Sequence, residues 1–197
     1  MRHLSRAVPA AALAVVLAAA LTACGADDGA PSSAGPAQAS PSPSPSLDEA
    51  ERAEQEHVEE AKAALAEYYE ASDDVANDGY EGWQSLRGYM GPQAWKSESS
   101  ILELNATDGW STTGRVELVS MTVVEYVEDP TGSGFEQVRI DVCSDVSSIT
   151  VHDDEGDVVP RDESLPDSFT TVYTLQHQGP GEGWLINGRD AEVEQSC

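Results

Sequence analysis

The sequence predicts an α+β domain in which N-terminal helices pack on an antiparallel β-sheet. Three observations carry this. Apolar residues recur every three or four positions over residues 47–75. From residue 114 the chain turns to Val, Thr, Ile and Tyr in partial alternation with polar residues. Gly- and Asp-rich clusters at 129–134, 153–156 and 178–183 then cut that half into short segments. A helical period followed by runs of period two, with turns too short for crossover helices, describes helices first and a meander second.

Val58, Ala61, Leu65, Tyr68, Ser72 and Val75 make one stripe on a long first helix, with Glu51, Arg52, Glu56, Glu59 and Lys62 opposite. Ser46 and Glu49 match a capping box, with Ser46 at the N-cap and Glu49 at the third helical position. Tyr68 and Tyr69 are expected to pack against the core with their hydroxyls at its rim. Gly79, Gly82, Gly88, Gly91 and Pro92 punctuate the next stretch. It holds a short helical piece from Trp83 to Tyr89 and a second from Pro92, a favourable first helical residue, to Asn105. Trp83, Trp95 and Trp110 all fall here. They either line a pocket together with Tyr173 or fill the core of a small domain.

A long strand is expected over 114–128. In the next, 135–146, Glu136, Val138, Ile140 and Val142 share one face, and Gln137, Arg139, Asp141 and Cys143 the other. Short strands at 149–152 and 157–159 flank a tight turn. A β-rich run over 168–178 and a brief last strand at Trp184-Leu185-Ile186 complete the set.

The chain has 197 residues, 36 Asp and Glu against 10 Lys and Arg, and a net charge of −26. Residues 1–23 carry +2, residues 24–46 carry −2, and the whole −26 sits in 47–197. Nucleic acid is excluded as a partner, because phosphate binding needs a basic surface. Direct adsorption on an anionic bilayer is disfavoured for the same reason.

Residues 1–23 have the form of a targeting segment. A basic start with Arg2 and Arg6 precedes an uncharged Ala/Val/Leu run too short to span a membrane, which takes roughly 20 residues. The run ends Leu21-Thr22-Ala23-Cys24, which resembles the bacterial lipobox. That resemblance implies that Cys24 takes a lipid and becomes the mature N-terminus, a membrane anchor on the outer face of the cell membrane. Residues 24–46 then form a Pro/Ser tether ending in alternating Ser-Pro. With no large apolar side chain to bury, it gains nothing by ordering. At about 3.1 Å per residue in a polyproline conformation it reaches roughly 70 Å. With Cys24 committed to lipid, Cys143 and Cys197 remain as an even pair in an oxidising compartment. One intramolecular bridge is the expectation; separate thiols and an intermolecular bridge are its alternatives.

The helical start, Gly109-Trp110-x-Thr112-x-Gly114 opening a long strand, Cys143-Ser144-Asp145-Val146-Ser147 closing the next, an acidic Gly hairpin at 153–157, Tyr173-Thr174-Leu175, Gly183-Trp184-Leu185-Ile186 and a terminal Cys197 come in a fixed order. Together they resemble actinobacterial lipoproteins with a nuclear transport factor 2-like domain. The resemblance covers residues 48–197. It implies a cone in which helices pack into a strongly curved antiparallel sheet with a cavity at the open end. The superfamily includes ketosteroid isomerase-like and polyketide cyclase-like enzymes and many noncatalytic modules.

No catalytic motif maps onto specific positions. Asp141, His152, Tyr173 and His177 lie on candidate strands, where an inward direction would serve chemistry and an outward one would be a plain exposed face. Asp153, Asp154, Glu155 and Asp157 crowd Gly156, but without the spacing of a calcium loop, and a solvated turn explains them. His57, His152 and His177 have no zinc spacing. The sequence therefore describes a lipid-anchored envelope module without cofactor that binds a protein or a small apolar ligand, with an enzyme using the cone cavity as the alternative.

Overall fold

A computed structural model describes residues 48–132, 135–179, 182–192 and 196–197 of the chain. Cys24, the tether and Ser46 lie outside the described residues. All elements fall in the unit Pro45–Cys197.

Helix α1 (Glu49–Asn77) is capped by Asp48, whose side chain accepts from the Glu51 backbone N–H (2.9 Å) while the Glu51 carboxylate accepts from that of Asp48 (3.1 Å). The capping box is thus two residues further on than Ser46/Glu49. Acids fill the start of this helix, so two frames satisfy the same pattern. The expected stripe faces inward, with Ala61, Leu65 and Tyr68 fully covered. After a 3-10 helix (Trp83–Tyr89) comes α2 (Pro92–Thr107), with Pro92 in its first turn as expected.

Among the described residues seven strands follow: β1 (Ser111–Thr113), β2 (Glu117–Val127), β3 (Gln137–Asp145), β4 (Thr150–His152), β5 (Val158–Val159), β6 (Ser168–His177) and β7 (Trp184–Glu192). They form two antiparallel sheets, ordered β2-β3-β6-β7 and β1-β4-β5. The expected 114–128 strand is therefore observed with a later start and preceded by a separate short strand. Residues 111–113 pair with β4, and the long strand begins only at Glu117. The last strand runs well past Ile186, because β6 offers it a ladder from Thr170 to His177.

The alternation read for 135–146 holds. Val138, Ile140, Val142 and Ser144 are buried, and their register partners on β6 include the equally buried Leu175, Tyr173 and Thr171. These side chains, Trp184 and Ile186 of β7, and the α1 stripe make the core. The register shifts of β2 fall between Leu118 and Ser120 and between Val123 and Glu125, leaving Val119 and Val124 as the extra residues, both exposed. Such bulges bend a strand and, with Glu117 and Glu125 beside them, spoil the free edge of β2 as a template for another chain. Cys143, on the face away from the core, is bonded to Cys197 (S–S 2.02 Å).

Candidate functional site

The second half of α1 crosses the inner face of β3 and β6, and the two surfaces do not close completely. Between them lies a cavity of about 170 Å³ lined by Tyr68, Tyr69, Ser72 and Asp73 of α1, Ser144 of β3, Phe169, Thr171 and Tyr173 of β6, and Arg189 of β7. Six of these side chains carry hydroxyls. Tyr173 O–H donates to the Tyr69 hydroxyl (2.9 Å), and the two rings meet edge to face. Tyr68 and Tyr173 are 6 % and 1 % exposed, whereas Tyr69 is partly buried and borders the neighbouring recess.

Burial governs the protonation of these groups. It raises the phenols of Tyr68, Tyr69 and Tyr173 above their usual range, and desolvation also raises the Asp73 carboxyl. The phenols are therefore neutral donors at any physiological pH. Because their native pKa values exceed the unfolded ones, they contribute stability that is complete below about pH 10 and is lost as pH rises past that value. In an alkaline titration, phenolate absorbance from this trio is expected to appear in the same step as loss of far-ultraviolet circular dichroism. Its appearance near pH 10 in a domain that keeps its dichroism would contradict the burial described.

Two further recesses adjoin the cavity. Tyr69, Asp73 and Val116 also border a recess of about 590 Å³ whose rim carries Glu70, Asp74, Arg115 and Glu117. Asp73 accepts from the Val116 backbone N–H (3.0 Å), and Asp74 pairs with Arg115 (2.6 Å), fastening α1 to the start of β2. On the other side, Val146 and Phe169 also line an apolar groove of about 460 Å³. Its remaining walls are Trp110, Ile149, Thr150 and Val151, then Val158, Val159, Pro160, Arg161 and Leu165. Arg189 reaches back to Glu98 of α2 (3.2 Å).

The residues singled out in the sequence are dispersed. Tyr173 lines the hydroxyl cavity and Trp110 the apolar groove. Trp83 and Trp95 stack on each other instead (ring centroids 5.5 Å, planes 22° apart), joining the 3-10 helix to α2. Asp141 lies on the face of β3 opposite the core residues, in register with Thr122 and Val172. His152 Nε2 meets Thr113 Oγ1 (3.3 Å) across the small sheet. His177 stacks between His57 (5.8 Å) and Trp184 (5.2 Å) at the other end of the large sheet, where His57 Nδ1 contacts Glu136 Oε2 (2.6 Å). Beside them the Tyr126 hydroxyl is pushed up to about 12, chiefly by desolvation and then by Glu136. The acids at 153–157 form the β4–β5 hairpin, in which Asp153 accepts the backbone N–H groups of Glu155 and Asp157. No group of three or more metal-ligating side chains converges among the described residues.

Ser144, Asp73 and Arg189 were not singled out as site residues by sequence, and Tyr69 was read only as a packing residue. The only sign of them was parity: Ser144 continues the inward series of Val138, Ile140 and Val142.

No family model matches the chain, and no curated protein does. Among solved structures, it is similar to the crystal structure of the intermembrane space region of chloroplast protein ARC6 (15 % identity, 75 % of this chain and 98 % of that one, TM-score 0.45). It is also similar to a periplasmic fragment of TraM (14 % identity, 66 % and 96 %, TM-score 0.44). No helix among the described residues is long and apolar enough to cross a membrane.

Proposed function

We propose that the protein is an extracytoplasmic lipoprotein, anchored through Cys24, whose domain holds a small and largely apolar ligand at the cell envelope. One observation carries the binding part of this reading: a hydroxyl-lined cavity that shares two lining residues, Val146 and Phe169, with a neighbouring apolar groove. That combination of an apolar wall and a few convergent polar groups is the usual make-up of a small-molecule site. The Cys143–Cys197 bridge supports an oxidising compartment, and the lipobox-like Leu21-Thr22-Ala23-Cys24 supports the anchor. Helices laid on an antiparallel sheet with bulged strands are compatible with the nuclear transport factor 2-like cone that the sequence resembles.

A second reading, an isomerase-, cyclase- or dehydratase-like enzyme acting on a small apolar substrate, is favoured by one group. Asp73 is a carboxyl raised by burial, and it borders the same cavity as the neutral Tyr69–Tyr173 pair. A base and a hydrogen-bond donor on one cavity are what enolisation chemistry requires.

Native mass spectrometry of protein extracted from membranes tests location and binding separately. The wild type is expected in the detergent phase, carrying the mass of a diacylglycerol thioether and of a retained small molecule. Cys24→Ser should move to the medium without the lipid mass and keep the small molecule. A Cys24→Ser protein still in the detergent phase would overturn the anchor. A wild type carrying no small molecule would overturn the binding module.

A further inference from the structure

We infer that the apolar groove takes a cationic amphiphile, a compound with an apolar body and a protonated amine; this names the ligand class for the binding reading above and rests on it. The groove is open rather than closed over. Three of its walls, Trp110, Val158 and Leu165, are 38, 60 and 45 % exposed, Trp110 brought by the fold against the 158–165 segment. Leaving three large apolar side chains in water around one concavity costs solubility unless something covers them. At about 460 Å³ the groove falls in the range of small-molecule sites, roughly 300–1,000 Å³.

The charge around it selects the occupant. The hairpin that ends β4 and begins β5 carries Asp153, Asp154, Glu155 and Asp157. It stands next to Trp110: a Cβ placed on Gly109 would lie 2.8 Å from Asp154 Cβ. The segment from β5 to β6, which supplies Pro160, Arg161 and Leu165 to the wall, adds Asp162, Glu163 and Asp167. Asp162 is held below the usual carboxylate range by backbone and hydroxyl hydrogen bonds from Ser164. The one Arg or Lys of residues 150–168 is Arg161, and it is engaged by Asp167 (2.9 Å). The groove's own lining thus carries one charge, Arg161, already paired with Asp167, while the segments that flank it on both sides are acidic, in a domain whose net charge is −26. A fatty acid or an anionic lipid would bring like charge to this rim. An amine gains from it, while its apolar body covers Trp110, Val158 and Leu165.

The test compares dodecylamine, dodecanoate and butylamine, below micellar concentrations and at 0.15 M salt, on the whole domain followed by the indole and backbone resonances in NMR. Dodecylamine is expected to bind at least tenfold more tightly than dodecanoate or butylamine, with shifts centred on the Trp110 indole. Asp154→Asn with Asp157→Asn should weaken dodecylamine several-fold and leave dodecanoate unchanged or tighter. Val158→Ser with Leu165→Ser, at exposed positions that leave the core intact, should weaken dodecylamine at least tenfold.

Dodecanoate binding as well as the amine would overturn the ligand class and leave the binding reading standing. Butylamine binding as well as dodecylamine, or shifts spread over the acidic surface, would show charge alone at work and overturn the groove. Binding of neither long-chain probe, in a protein that also retains no small molecule from the cell, would overturn both.

Discussion

Replacing Cys143 and Cys197 together by alanine is expected to lower the stability of the domain by about 4 kcal/mol, the chain-entropy value for so long a loop. For a domain of this size that is a fall in Tm of roughly 8–16 °C. The two cysteines are 54 positions apart, and the loop they close contains β4, β5, β6 and β7. Cys143, Thr170 and Glu192 are register partners in a row across β3, β6 and β7, so five residues after Glu192 the chain is back on β3. The bridge thereby ties the end of the edge strand to the middle of the sheet. It also lies on the face away from the core, since the neighbouring Val142 and Ser144 are the buried ones. Removing it leaves core packing in place and frees the unfolded chain. Thermal melts with and without reductant check this. The gap between wild type and variant should be present under oxidising conditions and should close when the wild type is reduced. A gap of the same size in both would assign the loss to packing at Cys143.

How far such features could be read in advance depended on whether neighbours along the chain decide them. The stripe from Val58 to Val75 and the alternation from Glu136 to Val142 were legible because burial on one face imposes a period. Even the odd member of the second series, Glu136, follows the rule: it sits on the α1 side of the sheet because His57 is there to meet it. The start of α1 was misplaced by two residues because Ser46-x-x-Glu49 and Asp48-x-x-Glu51 are equally good caps. The length of β7 was not legible, since Asn187-Gly188-Arg189-Asp190-Ala191 has little strand propensity of its own and is extended by the ladder to β6.

The crevice was hidden more deeply. Tyr69 and Tyr173 are 104 residues apart, and nothing local says that one hydroxyl will donate to the other. Adjacent Tyr68 and Tyr69 read as packing residues, which they are, but α1 lies across the sheet so that both rings border the same cavity. Trp83 and Trp95 fit either a pocket wall or a core by composition; in the fold they stack on each other, and Trp95 packs against the core. What composition did announce was the acidity of the domain. In the fold part of that acidity lies on the β4–β5 hairpin and the β5–β6 segment, the two stretches that also hold exposed Val158 and Leu165. Charge that argues in the sequence against a nucleic-acid partner thus becomes, at one groove, a basis for choosing a ligand.

The other large effect expected is at a residue with no side chain. Gly114→Ala should cost about 2–4 kcal/mol, combining a left-handed backbone with an overpacked contact. Gly114 is where the chain leaves the small sheet for the large one. Its φ of +95° is one that an L side chain resists, and a Cβ there would lie 2.2 Å from the Ser148 carbonyl oxygen. Neither side of that contact yields easily. The Gly114 carbonyl accepts from Asn77 at the end of α1 (2.9 Å), and the Ser148 hydroxyl donates to the Arg115 carbonyl (2.7 Å). Moving either would also shift Val116, whose N–H donates to Asp73 beside the hydroxyl cavity. Gly156→Ala is the matched control: its φ is +85°, but nothing lies within 4 Å of the added carbon. It should lose only the backbone part, about 1–2 kcal/mol. Denaturant melts of the two variants at equal m-values measure the difference. Gly114→Ala must be the less stable, and equal losses would show that left-handed backbone alone, and not the approach of Ser148, requires glycine where the two sheets part.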